Sequence, residues 1–321
     1  MSKSTEGATQ APGVSLLCVV KNGAPYLERG LPLLRAQHYA GPVEIICVDS
    51  GSTDETLTLM RAHDAHIYEI PPEEFHHGRT RNLAASLASH EILVCLSQDA
   101  IPTDTDWLRH LVAPFDDSRV GAVYGKQTAP EGMGLRRRQG LASEYPTERQ
   151  VRDPETITAY TPGHFRFSNA NAAVRKSCWE RFPWDETVLL AEDQGFCRDV
   201  LYDGRVVIYE PKAEVIHGHD RSLLGEFKYA FDNGVSLSRL GILNNPEVGG
   251  ELGYGLRRMK TDLTFFAGKG RFDCVLVSLL SFALRYVAVQ LGKREAQLPA
   301  WFLRRFSEMH QKMGTAPTSR S

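Results

Sequence analysis

Five short stretches carry side chains able to do chemistry. They are VDSGSTDET around Asp49, SQDAIP around Asp99, SNAN from Ser168, AEDQGF with Glu192 and Asp193, and HGH with His217 and His219. Asp49 and Asp99 each follow an apolar run, VEIICV and ILVCLSQ. A carboxylate at the C-terminal end of a buried strand stands where open α/β sheets bind ligands. It can accept a base N–H or a ribose hydroxyl, or hold Mg²⁺ or Mn²⁺. Either acid could also serve a turn or a helix cap, but two at corresponding positions favour a nucleotide site. Asp99 is therefore expected to hold a divalent cation on a nucleoside diphosphate, with Gln98 meeting ribose or phosphate.

SQD offers one carboxylate, which suits a cation that keeps most of its waters and takes phosphate oxygens as ligands. His217 and His219 are spaced i, i+2, so an extended segment puts both on one face. Either imidazole could complete the metal shell or touch the diphosphate. Glu192 and Asp193 open a helix, where its dipole stabilises acids. Asn169 and Asn171 fit a sugar pocket or an ordinary turn and cap. Trp184, with Trp179 and Phe182, fits an apolar platform for a sugar face or simply core.

The elements that must position these groups follow from periodicity. Val14–Val20, Val43–Val48, His66–Ile70 and Ile92–Leu96 read as short buried strands, separated by helical spacing over 24–37, 55–62 and 83–89. Thr53 or Asp54 could cap the second of these helices. The βαβαβ progression predicts a parallel sheet. Strands at 206–209 and 213–216 and a helix from 191 to 201 follow later. Residues 129–162 show no period and read as a mobile loop or lid, with Arg136–Arg138 solvated or touching an anionic headgroup. From Ser222 the pattern is helical, over 223–240, 252–266 and 271–291.

The chain has 321 residues, 42% hydrophobic and 24% charged, which fits one large domain or a domain with an appendage. A net charge of −2 gives no global basic field, so nucleic acid is not an expected partner. Six cysteines without a CxxC pair point to reduced thiols, a cytoplasmic chain and no zinc site. The first residues, MSKSTEGATQAPG, lack the apolar core of a signal peptide. The last helix is interrupted by Arg285 and ringed by Arg257, Arg258, Lys260, Lys269, Arg271, Lys293, Arg294, Arg304 and Arg305. It is expected either to lie on the inner face of the cell membrane or to pack within the protein, with a homo-oligomer through these helices as one form.

VDSGSTDET, PEEFHHGRTRNLA, SQDAIPTDTDWL, FSNANAAVRKSCWE, AEDQGFCRDV and EVIHGH together resemble the inverting GT-A glycosyltransferases of family 2, and within them a bacterial rhamnosyltransferase branch. The resemblance covers residues 14–235. It implies a GT-A (Rossmann-like) α/β fold, a mostly parallel central sheet flanked by helices with a helical C-terminal region. The expected division is a disordered start (1–13), the transferase domain (14–235), a helical region (236–313) and a disordered tail (314–321).

The resemblance also implies roles. Val19, Lys21, Asn22, Asp49, Ser50, Gly51, Arg81 and Gln98 would line the nucleotide. Asp49 would accept the N3–H of a pyrimidine, and Arg81 would meet the diphosphate or base–ribose region unless it makes a salt bridge at its helix start. Asp99, at the place of the family's DxD motif but lacking its first acid, would bind Mg²⁺ or Mn²⁺ with His217 or His219. Inverting transfer needs a carboxylate to take the acceptor proton. Asp193 is the expected base by position, with Glu192 holding a hydroxyl. The implied donor is dTDP-L-rhamnose, and the implied acceptor a cell-surface glycan or lipid-linked glycan precursor. The alternatives are a UDP-hexose or UDP-N-acetylhexosamine donor, or a non-catalytic nucleotide-sugar or glycan-binding protein. Retention of Asp99, Asp193 and HGH speaks against the last.

Overall fold

The computed structural model describes residues 11–249, 251–308 and 311. The expected disordered tail (314–321) and residues 1–10 of the expected disordered start lie outside the described residues. β1 (Val14–Val20), β2 (Val43–Asp49), β3 (His66–Glu69) and β4 (Ile92–Leu96) run parallel in the order β3-β2-β1-β4. Their apolar runs are near-continuous because β1, β2 and β4 feed cores on both faces of the sheet. In β1, Leu16 and Cys18 join one buried cluster and Leu17 the other. α1 (Ala24–Arg35), α2 (Thr56–Ala62) and α3 (His77–Ser86) supply the crossovers. Neither candidate cap stands at the N-cap of α2, which is Glu55; Asp54, one residue before it, accepts from the N–H and hydroxyl of Thr56 and from the N–H of Ala24.

Beyond β4 the sheet becomes mixed. In chain order come β5 (Ile101–Pro102), α4 (Trp107–Val112), β6 (Val120–Thr128), α5 (Leu135–Glu144), β7 (Gln150–Arg152), β8 (Asn171–Arg175), α6 (Lys176–Arg181), α7 (Glu192–Tyr202) and β9 (Val206–Ile216). β8 inserts antiparallel between β4 and β6, and β9 runs parallel to β6. The ends of β1, β2, β4, β6 and β9 therefore share one edge with the start of β8. That edge carries Lys21, Asp49, Ser97-Gln98-Asp99, Gln127, the SNAN turn and HGH. β5 pairs antiparallel with the end of β9, Ile101 opposite Ile216. This short pairing draws the chain just after Asp99 across to His217.

The two strands expected at 206–209 and 213–216 are one strand, β9. Its register against β6 shifts between Gly125 and Lys126. A Cβ on Gly125 would lie 2.1 Å from the Ala213 carbonyl oxygen and 2.3 Å from Asn171 Nδ2. Glycine is required at this close approach.

Residues 129–162, expected as a mobile loop or lid, instead contain α5 and β7, the latter antiparallel to β9. The order comes from distant partners. Arg136 pairs with the buried Glu226, and Glu144 pairs with Arg166 and Arg258. Arg137 donates to the carbonyl of His219. The arginine run is thus largely a tether rather than a solvated loop.

The C-terminal region consists of α8 (Leu223–Arg239), α9 (Glu251–Gly268), α10 (Phe272–Gly292) and α11 (Ala300–Phe306). The expected division at residue 235 falls inside α8. Gly234 stands against the Val289 backbone and Gly292 against the Phe231 carbonyl, so α8 and α10 approach closely. Cys274, Ser281 and Ala288 of α10 are buried, while Phe272, Leu276, Leu280 and Val287 face outward. By length and composition α10 could cross a membrane, even with Arg285 in it.

Candidate active site

The β1–β2 side of the edge is held by its own loop. Asp49 is buried at the end of β2, and its Oδ2 accepts from the N–H groups of Gly51 and Ser52, both at 2.9 Å. Gly51, at φ 88°, permits that turn. Asn22 takes a left-handed φ of 49°, which asparagine tolerates. Its Oδ1 accepts from the Thr53 N–H at 2.8 Å. Asp49 is thus a turn acid by its contacts, and it stands on the edge beside half-buried Val19 and exposed Lys21 and Asn22. Ser50 is buried, with N–H and hydroxyl both donating to the Val20 carbonyl. It ties β2 to β1. Gln98 also differs from expectation. Its Oε1 accepts from the Lys21 N–H at 2.9 Å and its Nε2 donates to the Lys21 carbonyl at 3.1 Å. The carboxamide acts as one more rung between β1 and β4.

Asp99, His217 and His219 come together, their candidate ligand atoms all within 4.8 Å of one another. Nε2 of His217 is 3.5 Å from Asp99 Oδ1, and Nε2 of His219 is 3.3 Å from Oδ2. Burial would raise the Asp99 carboxyl, but a proton on either neighbouring imidazole, His217 first, holds it below its ordinary value. Burial and the neighbouring His217 lower His219, favouring the neutral ring a metal ligand needs. His217 Nδ1 lies 2.8 Å from Gln127 Oε1. A ring whose Nδ1–H meets a carbonyl oxygen turns an Nε2 lone pair toward a carboxylate. Two electron pairs facing each other across such a gap fit a cation between them.

The third part of the edge is the start of α7. Ala191 takes φ 62°, a conformation costly for alanine, and α7 begins abruptly with Glu192 and Asp193. Arg81 Nη1 lies 2.6 Å from Glu192 Oε1, with side chains 15% and 7% exposed. Arg81 makes the salt bridge left open above, through Nη1. Asn169 donates from its backbone to Asp193 Oδ2 at 3.2 Å and from Nδ2 to Glu192 at 3.4 Å, while its buried Oδ1 has no partner. Burial raises both acids, but Arg81 overrides this at Glu192, which stays below its ordinary value. Asp193 lacks the direct ion pair, and burial and the Glu192 charge outweigh the pull of Arg81 and push it up to about 7.

Two expected sugar residues belong to the framework. Asn171 is fully buried, donating to the carbonyls of Lys126 and Ala213 and accepting from Trp107 Nε1. Trp184 is buried in the core against Phe196. Sequence reasoning missed Gln127, which bonds both His217 and Ser168. Its one signal was a polar residue near the end of the strand VGAVYGKQT.

A family model, Glycosyl transferase family 2, matches residues 15–179. The O-antigen chain rhamnosyltransferase WbaN of Salmonella anatum is 31% identical over 274 residues, 83% of this chain and 84% of that protein. RfbN of Salmonella typhimurium, of the same description, is 31% identical over 83% of this chain and 85% of its own length. Among solved structures, the mannosyltransferase PcManGT from Pyrobaculum calidifontis, in complex with GDP-Man and Mn²⁺, aligns with a TM-score of 0.55 at 20% identity, covering 95% of this chain and 86% of that one. S. aureus TarS 1-349 in complex with UDP aligns at 0.53 and 14% identity, covering 89% and 91%. These structural likenesses identify the GT-A fold.

Removing one partner of a buried ion pair leaves an uncompensated charge. Arg81→Met should therefore destabilise the fold by about 3 kcal/mol, read from urea unfolding at neutral pH. A loss under about 1 kcal/mol would mean that Glu192 is effectively solvated.

Proposed function

The chain belongs to glycosyl transferase family 2, and from that premise we propose that this glycosyltransferase moves L-rhamnose from dTDP-L-rhamnose, with inversion, onto a hydroxyl of a cell-surface glycan or lipid-linked glycan precursor. The likeness to the two O-antigen chain rhamnosyltransferases over most of both chains supports the donor. The single observation that carries the mechanism is the pair of unequal carboxylates at the start of α7. Glu192 is kept ionised by Arg81 and orients a hydroxyl. Asp193, with its carboxyl near neutrality, is suited to accept a proton at physiological pH. The acceptor hydroxyl loses its proton to Asp193 as its oxygen bonds to the anomeric carbon. The bond from that carbon to the diphosphate oxygen breaks on the opposite face, and the nucleoside diphosphate departs with the electron pair. The partnerless Oδ1 of Asn169 is available to accept from a sugar or acceptor hydroxyl.

Val19, Lys21, Asn22, Asp49 and Gly51 line the nucleotide, with Ser50, Gln98 and Arg81 framing that surface. Asp99, His217 and His219 would hold a divalent cation, which when bound neutralises charge on the leaving diphosphate. A donor set with imidazole favours Mn²⁺ over Mg²⁺, and Mn²⁺ accompanies the donor in the Pyrobaculum neighbour. The outward apolar face of α10 contacts the membrane surface. This is supported by ten Lys and Arg against five Asp and Glu in residues 251–308, in a chain of net charge −2.

A donor panel scored by nucleoside-diphosphate release should show fastest release from dTDP-L-rhamnose with Mn²⁺. Faster release from a UDP-sugar would replace the donor, and no release from any donor with a glycan acceptor would overturn the transferase assignment. Because a base must be ionised, kcat/KM should rise with pH through about 7 and then level. Asp193→Asn should lower kcat by about 10³-fold while leaving dTDP binding near wild type; retained turnover would place the base elsewhere. The double variant Leu276→Glu, Leu280→Glu should cut co-sedimentation with anionic vesicles at least fivefold. Unchanged sedimentation would favour a protein partner for α10.

A further inference from the structure

Gln127 is 5% exposed near the end of β6, where neither turn nor cap calls for a polar side chain. Its carboxamide has two partners from different parts of the chain. Oε1 stands 2.8 Å from His217 Nδ1, and Nε2 donates to Ser168 Oγ at 2.9 Å. With the amide in this orientation its carbonyl oxygen only accepts, so Nδ1 carries a proton, and in the neutral ring Nε2 is left with a lone pair. That Nε2 faces Asp99 Oδ1 at 3.5 Å. The residue after Ser168 is Asn169, whose backbone N–H reaches Asp193 Oδ2 at 3.2 Å. A continuous path thus runs from the Asp99–histidine cluster through Gln127 to the turn that holds Asp193.

We infer that Gln127 is a positioning residue for the cation centre: it fixes His217 as the Nδ1–H tautomer, aims Nε2 at Asp99, and ties HGH to the Ser168–Asn169 turn. Nothing on the β6 strand itself requires this side chain, and the two bonds account for both ends of its amide. The inference rests on the metal assignment proposed above. Partners that orient a ligating histidine commonly change metal affinity by 10–100-fold when lost.

The test is Mn²⁺ titration, with dTDP saturating, followed by the electron paramagnetic resonance signal of free Mn²⁺. Gln127→Met, close to isosteric but unable to accept from Nδ1–H, should raise the Mn²⁺ Kd at least about tenfold. Gln127→Glu, which still accepts from Nδ1–H, should stay within threefold of wild type. A purely space-filling role predicts an unchanged Kd for Gln127→Met, and that result would overturn the inference. Independent of any variant folding, ¹⁵N spectra of the metal-free wild type should show His217 protonated at Nδ1; protonation at Nε2 alone would overturn it. Asp99→Asn separates the two levels. If Asp99→Asn abolishes Mn²⁺ binding and Gln127→Met does not, only the role of Gln127 fails. If Asp99→Asn binds Mn²⁺ as the wild type does, the metal assignment fails and the inference falls with it.

Discussion

Two adjacent carboxylates at the buried start of one helix cannot both be ionised without an opposing charge. Arg81 resolves that conflict in favour of Glu192, leaving Asp193 as the acid that titrates near neutrality. The asymmetry depends on placement. α3 must bring Arg81 against α7, and the left-handed Ala191 must start α7 abruptly enough to bury Glu192 first. A permanently charged guanidinium suits the task, because its ionisation does not respond to the burial it relieves. With Nη1 committed to Glu192, the remaining polar groups of the edge lie elsewhere.

Those other groups gather around Asp99. One carboxylate at a strand end is a thin cation site. Here a two-residue strand, β5, pairs with β9 and brings two histidines to the acid, which gives the proposed site its further donors. The antiparallel insertion of β8 supplies the remaining link. Its start lies beside the end of β4, where Ser97 N–H donates to the Ala170 carbonyl, so the SNAN turn joins the SQD and α7 sides of the edge.

Order in 129–162 has a similar origin. α5 has no buried apolar stripe of its own. It is fixed by charge pairs to α8 and α9, with Glu226 and Glu144 as the acids. The C-terminal helices are therefore braced against the transferase domain through α5. Arg137 donating to the His219 carbonyl carries that bracing to the margin of the histidine cluster.

The sequence by itself determined the strands β1, β2 and β4, the helices α8, α9 and α10 within a few residues though not α11, and the acids and histidines of the edge. These rest on local signals: apolar runs of strand length, helical spacing, and polar residues that end a buried run. Asp99, His217 and His219 were legible for that reason, as was the pair Glu192-Asp193. Tertiary structure decided the antiparallel place of β8, the helix within 129–162, and how side-chain partners are shared. Asn171, Gln98 and Arg81 looked like ligand contacts because their types can bind ligands. Each has a hydrogen-bond partner in backbone or side chain 42 to 111 residues away. No local pattern encodes a partner at that separation. Gln127 is the converse case, a single polar residue in a strand whose meaning appears only when β9 lays His217 beside it.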